Sequence, residues 1–225
     1  MIIGNGLVAK GFKDFDNPNY VILASGVSNS LETDIFQFNK EREVILNAIK
    51  TYPNKKFVYF STVLIDSIDS PYYNHKKEME QLVINNTKEY AIFRVPQLVS
   101  NTGNSNNLIN HLKDKIVNGR KVVIYEGVKR SLLGIEDLVA IVNIIINKVV
   151  RGVIDIAGVE ILSVINICEI LAEILNKPLH IAVKSKKENS EWVTKNDILV
   201  KNAFKILDIE SENYSKNLIK KYFKI

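Results

Sequence analysis

Short apolar runs that stop at glycine, serine or proline alternate along the chain with longer amphipathic stretches, and this alternation restricts the fold to a parallel sheet flanked by helices. Residues 1–3 end at Gly4 and pass through Asn5-Gly6 into a helical stretch over 7–15. Residues 20–24 form the next strand, closed by Ser25-Gly26. A helix is predicted over 34–51, with Ile35, Phe38, Val44, Ile45, Ala48 and Ile49 on its apolar face, before Pro53-Asn54. Residues 57–60 read as a buried strand leading to Ser61-Thr62, and 72–85 as a helix. Strands at 90–95, 121–125, 152–157 and 178–183 then alternate with helices at 106–118, 135–148 and 163–175, the last capped by Ser163. Two helices, 198–207 and 214–223, close the chain.

With 225 residues and 46% hydrophobic content, the chain can bury a full core as one α/β domain with a modest extension. Its longest apolar run, 132–150, is interrupted by Glu136, Asp137, Asn143, Asn147 and Lys148, which argues against a membrane span. The apolar start reaches glycine too soon for a signal peptide, so a cytoplasmic setting is expected. The single cysteine, Cys168, falls in an apolar-periodic helix and reads as a core thiol. A net charge of +5 comes from dispersed lysines, densest at 184–187 and at Lys216, Lys220, Lys221 and Lys224. They read as a solvated surface, not a nucleic-acid face, and favour a phosphorylated substrate. The three histidines lack metal-ligand spacing, so no metal site is expected. Trp192 reads as packing the tail onto the body.

Two motifs carry chemistry. Gly4 and Gly6, between a strand and a helix, allow a pyrophosphate to approach the backbone, and the helix N-terminus offers free N–H donors. The same glycines would also serve a turn that needs them for geometry. In Ser70-Pro71-Tyr72-Tyr73-Asn74-His75-Lys76, Tyr72 and Lys76 lie four apart on one helix face, where an ammonium can stabilise a phenolate. Lowering a tyrosine from about pH 10 to 7 takes roughly 4 kcal/mol. Tyr73 and Lys77 share that spacing. His75 points about 100° away from Lys76 and reads as a bystander.

Together these landmarks resemble an extended short-chain dehydrogenase/reductase of the nucleotide-sugar epimerase/dehydratase group, over nearly the whole chain. Gly4, Gly6 and Ala9 match its glycine turn; Leu23-Ala24-Ser25-Gly26 matches the segment on the cofactor's pyrophosphate side, and Asn39 the helix asparagine. Phe60-Ser61-Thr62 resembles the strand end whose Ser or Thr touches the substrate oxygen. Tyr72, Lys76 and Glu80 fit the helix pattern and favour that register over 73/77. Phe93-Arg94-Val95-Pro96 resembles the strand leading to the nicotinamide pocket. Residues 123–127, Arg130 and 135–139 resemble the substrate-side segment.

The resemblance implies a Rossmann-like, doubly wound and mostly parallel sheet with a small C-terminal substrate-side subdomain. Residues 1–120 would form the cofactor-binding core, intertwined with a substrate-side segment at 121–225. It implies an NAD- or NADP-dependent keto-sugar reductase or epimerase with Tyr72, Lys76 and Thr62 as catalytic residues. The cofactor would meet Gly4, Asn5, Gly6, Leu7, Val8, Ala24, Ser25, Gly26, Asn39, Lys76, Val95 and Pro96. A nucleotide sugar would meet Ser61 and Arg130, although Arg130 could equally face solvent, and Asn39 could instead bond a neighbouring loop. A homodimer through the helices near 34–51 and 72–85 is also implied. Two departures stand out. The second and third strands of the family, with the residue that reads the adenine ribose, are absent, and only about ten residues separate Thr62 from Tyr72. A degenerate member that binds a sugar nucleotide or a protein without turnover is the alternative.

Overall fold

The computed structural model describes residues 1–100, 107–185, 195–209 and 212–223; Trp192 lies outside them. In chain order the elements are β1 (Ile2–Ile3), α1 (Leu7–Gly11), β2 (Tyr20–Leu23), α2 (Ile35–Thr51), β3 (Lys56–Thr62), α3 (Pro71–Asn86), β4 (Tyr90–Val95) and β5 (Gln97–Val99). They continue with α4 (Leu108–Val117), β6 (Val122–Tyr125), β7 (Lys129–Arg130), β8 (Leu132–Gly134), α5 (Ile135–Ile145), β9 (Arg151–Asp155) and β10 (Leu162–Ser163). The last are α6 (Val164–Leu175), β11 (Ile181–Lys184), α7 (Ile198–Ile206) and α8 (Tyr214–Phe223).

Among the described residues the main sheet runs β1-β2-β3-β4-β9, every neighbouring pair parallel. Its strands are apolar on both sides because both faces are covered. On one face Ile22, Val58, Phe60 and Phe93 pack with Phe12 beyond α1 and with Leu138, Ile141 and Val142 of α5 and Val200 of α7. On the other, Val21, Phe57, Tyr59 and Ile92 pack with Ile45 and Ala48 of α2 and Met79 and Val83 of α3. Side chains this deeply buried contribute roughly 1.5–3 kcal/mol each.

The two faces fix an unusual connection. From β1 to β4 the sheet order advances in one direction, yet α1 lies on the face opposite α2 and α3. The β1–α1–β2 unit therefore has the opposite hand to β2–α2–β3 and β3–α3–β4. Crossovers are right-handed in the great majority of cases. A reversed unit is what remains when the second and third strands are cut from a sheet in which they lie outside the first. The shortening expected from the sequence is thus visible as topology: β1 has become the sheet edge.

A separate apolar cluster joins α4, α6 and α8 to β6 and β11, a two-stranded parallel sheet. Two smaller pairs form beside it, β5 parallel with β8 and β7 antiparallel with β10. The chain interleaves: α4 packs with α6, whereas β9, later in sequence, pairs with β4. Cys168 is fully buried in this cluster, and burial pushes its thiol up to about 11. No described helix is long and apolar enough to cross a membrane.

Local sequence explains most element ends. Asp34 caps α2 by accepting the Phe36 N–H at 2.9 Å, and the Ser163 hydroxyl caps α6 by accepting from Asn166 N at 3.0 Å. The helix expected over 7–15 stops at Gly11, because Phe12 drops into the core against Phe60, ring centroids 5.4 Å apart. Ile35, expected on the apolar face of α2, is exposed. The buried stripe of that helix is Phe38, Glu41, Ile45 and Ala48.

Candidate active site

Parallel strands place their C-terminal ends on one edge, where open α/β sheets bind ligands. Here that edge collects Gly4 after β1, Ala24 after β2, Thr62 of β3 and Val95 of β4. Gly4 has φ +134°, and a Cβ there would stand 2.2 Å from the Ala24 carbonyl oxygen. Glycine at this position is a packing requirement. Gly6 differs: a Cβ there would meet nothing within 4 Å, and as N-cap of α1 it carries no side chain to cap the helix. Gly4, Asn5 and Gly6 are exposed, whereas Leu7 and Val8 pack against the core and leave only their backbone to a ligand.

One step further along the edge, Gly26 adjoins Lys76: a Cβ on Gly26 would lie 2.6 Å from Lys76 Nζ and 2.9 Å from Glu41 Oε1. Lys76 is 3% exposed. Its ammonium donates to Glu41 Oε1 at 2.9 Å and to the Tyr59 hydroxyl at 3.0 Å, and Tyr59 in turn donates to Glu41 Oε1 at 2.7 Å. The other carboxylate oxygen accepts from Val27 N at 2.8 Å and pairs with His75 Nε2 at 3.0 Å. The His75 ring stacks on Phe38 at 4.5 Å. Glu41 thus binds the loop after β2, the strand β3 and the helix α3 at once. Burial alone would raise its carboxyl, but Lys76, His75 and the Val27 N–H outweigh that and hold it well below the usual carboxylate range.

This cluster changes the expected Tyr72–Lys76 relationship. Lys76 Nζ sits 5.9 Å from the centre of the Tyr72 ring, but its hydrogen bonds go to Glu41 and Tyr59. Burial pushes the Tyr72 phenol well above its ordinary value, and the negative charge of Glu41 pushes it further the same way. In this arrangement the Lys76 ammonium is engaged by the Glu41 carboxylate and the Tyr59 hydroxyl, with the Tyr72 ring beside it. His75, expected as a bystander, is 5% exposed and belongs to the cluster.

Beyond Tyr72 the line reaches Tyr73, whose ring meets it edge-on at 5.1 Å, and then Arg130 from β7. Burial pushes the Tyr73 phenol up while the nearby Arg130 charge opposes it. Burial in turn draws the Arg130 guanidinium down. The Arg130 guanidinium donates to the Lys129 carbonyl at 2.7 Å, and no carboxylate pairs with it among the described residues. A half-buried guanidinium without an anion is suited to receive one.

Ser61 is 4% exposed, on the Tyr59 side of β3, and its buried hydroxyl has no hydrogen-bond partner among the described residues. Thr62 is half-buried at the strand end and accepts from Leu64 N at 3.3 Å. Val95 is half-buried and Pro96 buried. Asn39 is exposed on α2 and takes no part in the cluster; Glu41, one residue beyond Lys40, occupies the place beside Lys76. Glu80 is 2% exposed and holds Arg94 through two hydrogen bonds of 2.9 and 2.7 Å. That pair braces α3 against the end of β4. Glu41 could have been found from the sequence: it sits in phase with Phe38, Ile45 and Ala48, where an unpaired carboxylate would be too costly to bury.

No family model matches the chain, and no curated protein sequence matches it. Solved structures do. The dTDP-glucose 4,6-dehydratase of Bacillus anthracis, in complex with NAD, superposes with TM-score 0.71 at 16% identity, over 97% of this chain and 77% of that one. The UDP-glucose 4-epimerase of Thermus thermophilus, also with NAD, gives 0.68 at 13% identity, over 96% and 80%. The dTDP-4-dehydrorhamnose reductase of Bacillus anthracis, in complex with NADP, gives 0.69 at 15% identity, over 96% and 82%. The fold is therefore the Rossmann-like fold of the extended short-chain dehydrogenases/reductases, in a shortened form.

Proposed function

We propose that the chain is an NAD(P)-dependent oxidoreductase of nucleotide sugars, a keto-sugar reductase or epimerase of the extended short-chain dehydrogenase/reductase family. The observation that carries this reading is the continuous line Gly4, Ala24, Gly26, Lys76, Tyr72, Tyr73 and Arg130 along the ligand-binding edge of a parallel sheet. Similar folds hold NAD or NADP, and MoeE5, similarly folded, was solved with UDP-glucose and NAD.

The residues fit part of a dinucleotide. Open space at Gly6 and the uncapped start of α1 suit its diphosphate, and Lys76 lies where the sheet edge meets α3. When bound, a nicotinamide exchanges hydride with a substrate carbon. Tyr72 exchanges the proton of the substrate oxygen, Thr62 or the unpartnered Ser61 hydroxyl orients that oxygen, and Arg130 holds the substrate diphosphate. The adenosine end has no second strand to lie on among the described residues, where β1 is the sheet edge. Loose holding there suits a reductase, which releases its dinucleotide each turnover, better than an epimerase, which retains it. The lone buried Cys168 goes with a cytoplasmic setting. The outward faces of α2 and α3, with Phe36 and Leu46 exposed, would form a homodimer contact.

The same missing strand supports a second reading, a sugar-nucleotide binder without turnover. Calorimetric titration with NAD+, NADH, NADP+ and NADPH separates the two, with Gly6→Trp as the blocked-site control. Micromolar binding lost in the control, followed by turnover of a keto-sugar nucleotide, is the expected result. No binding of any form up to millimolar concentration would leave the second reading.

A further inference from the structure

Glu41 accepts from Lys76, Tyr59 and Val27 and is paired with His75, all within 3.0 Å. Its effect reaches Tyr72 through Lys76. An ammonium facing a phenol stabilises the phenolate; an ammonium paired with a buried carboxylate offers the phenol nearly no net charge. The charged and titratable groups around Tyr72 are Glu41 from α2, His75, Lys76, Tyr73 and the Arg94-paired Glu80 on α3, Tyr59 from β3, and Arg130 beyond Tyr73. Arg130 is the unpaired cation of that set among the described residues; its charge acts on Tyr73, whose ring meets Tyr72 edge-on.

We propose that Glu41 is a positioning residue that keeps Tyr72 protonated at neutral pH, so that the resting site stands in the form from which a carbonyl reduction starts. This rests on the oxidoreductase reading above. In the reduction, the substrate C=O takes a hydride at carbon from a reduced nicotinamide dinucleotide and the Tyr72 hydroxyl proton at oxygen. The π bond breaks, one C–H and one O–H bond form, the dinucleotide is oxidised, and Tyr72 regains its proton from solvent after product leaves. The reverse reaction needs Tyr72 as phenolate at the start, the form Glu41 disfavours. An epimerase or dehydratase begins with that oxidation, so a resting site with Tyr72 protonated is ready for a keto-sugar and must first lose a proton to start on an alcohol.

Titration of the ligand-free protein tests this without turnover. Ultraviolet difference absorbance of wild type minus Tyr72→Phe isolates the ionisation of Tyr72, with the fold followed by circular dichroism. Tyr72 is expected to remain protonated up to at least about pH 11, and in Glu41→Gln to ionise at least about one pH unit lower. Glu41→Asp, which keeps the charge, is expected to restore the wild-type titration. A Tyr72 ionisation at or below about pH 10 in the wild type overturns the proposal, even if Glu41→Gln fails to fold. So does an unchanged titration in a folded Glu41→Gln. With turnover in hand, the alcohol-oxidation rate of Glu41→Gln should rise at lower pH than that of wild type. Failure of all four dinucleotides to bind, with Tyr72 titrating as expected, overturns the oxidoreductase reading and the reductive role with it, but not the hold of Glu41 on Tyr72.

Discussion

Gly4 and Ala24 meet so closely that a single added methyl on Gly4 would lie 2.2 Å from the Ala24 carbonyl oxygen, on backbone already at φ +134°. Gly6, two residues on, has open space around its Cα and φ −76°. The two glycines of one motif therefore do different work. Gly4→Ala is expected to prevent β1 from docking and to lower the melting temperature by several degrees. Gly6→Ala should fold normally and weaken dinucleotide binding. Melting curves and calorimetry on the pair check this; equal losses of stability would show that both glycines serve only the turn.

The Glu41 cluster makes stability acid-sensitive. The carboxyl is held below its unfolded value, so the folded state binds fewer protons, and the stabilisation is full above about pH 4.3 and lost as pH falls further. Glu41→Gln removes that acid-linked component and leaves Lys76 buried without its anion, a loss of about 3–5 kcal/mol at neutral pH. Urea unfolding from pH 7 down to about pH 3 should show a shallower slope in the variant than in wild type. Parallel slopes would mean that another carboxylate governs acid unfolding.

Arg130 should contribute to ligand binding without holding the fold together, since no carboxylate pairs with it among the described residues. Arg130→Gln is expected to weaken binding of a nucleoside diphosphate about tenfold or more, the worth of a charged hydrogen bond, while the melting temperature stays put. Raising the salt concentration should weaken wild-type binding more than that of the variant. A variant that binds as tightly as wild type would remove Arg130 from the site.

Tyr214 anchors the C-terminal helix. Its hydroxyl donates to Asp137 Oδ2 at 2.5 Å and accepts from Gly134 N at 3.0 Å, joining α8 to the start of α5. Tyr214→Phe leaves both groups without that partner and is expected to cost about 1–3 kcal/mol in urea unfolding. An unchanged midpoint would place the anchoring of α8 in its other contacts, the apolar packing of Leu218 and Ile219 and the Lys216–Glu173 ion pair among them.

The sheet and its helices were legible in the sequence because each strand of the core is an apolar run stopped by a turn residue and each helix carries a periodic stripe. The strands β5, β7, β8 and β10 were not, being two or three residues long and defined by partners far along the chain. In the candidate site, the glycine turn after β1 and the approach of Lys76 to Tyr72 were legible from motif order and spacing. What escaped was the electrostatics. Glu41 was hidden among apolar stripe positions, and only the fold shows that it, His75 and Tyr59 surround the ammonium that Tyr72 was expected to share.

The reversed β1–α1–β2 connection bears on the order in which the molecule assembles. β1 pairs through two residues with one neighbour, and its crossover has the hand that chains adopt least readily. Strands β2, β3, β4 and β9 can register without it, so β1 is expected to dock late and to open first, exchanging its amide hydrogens ahead of the central strands. The turn that would face a diphosphate thus hangs on the least anchored strand of the sheet. A ligand seated there would close the last open seam of the fold, and its arrival should register as slowed exchange at Ile3 and Ala24 before any change in the core.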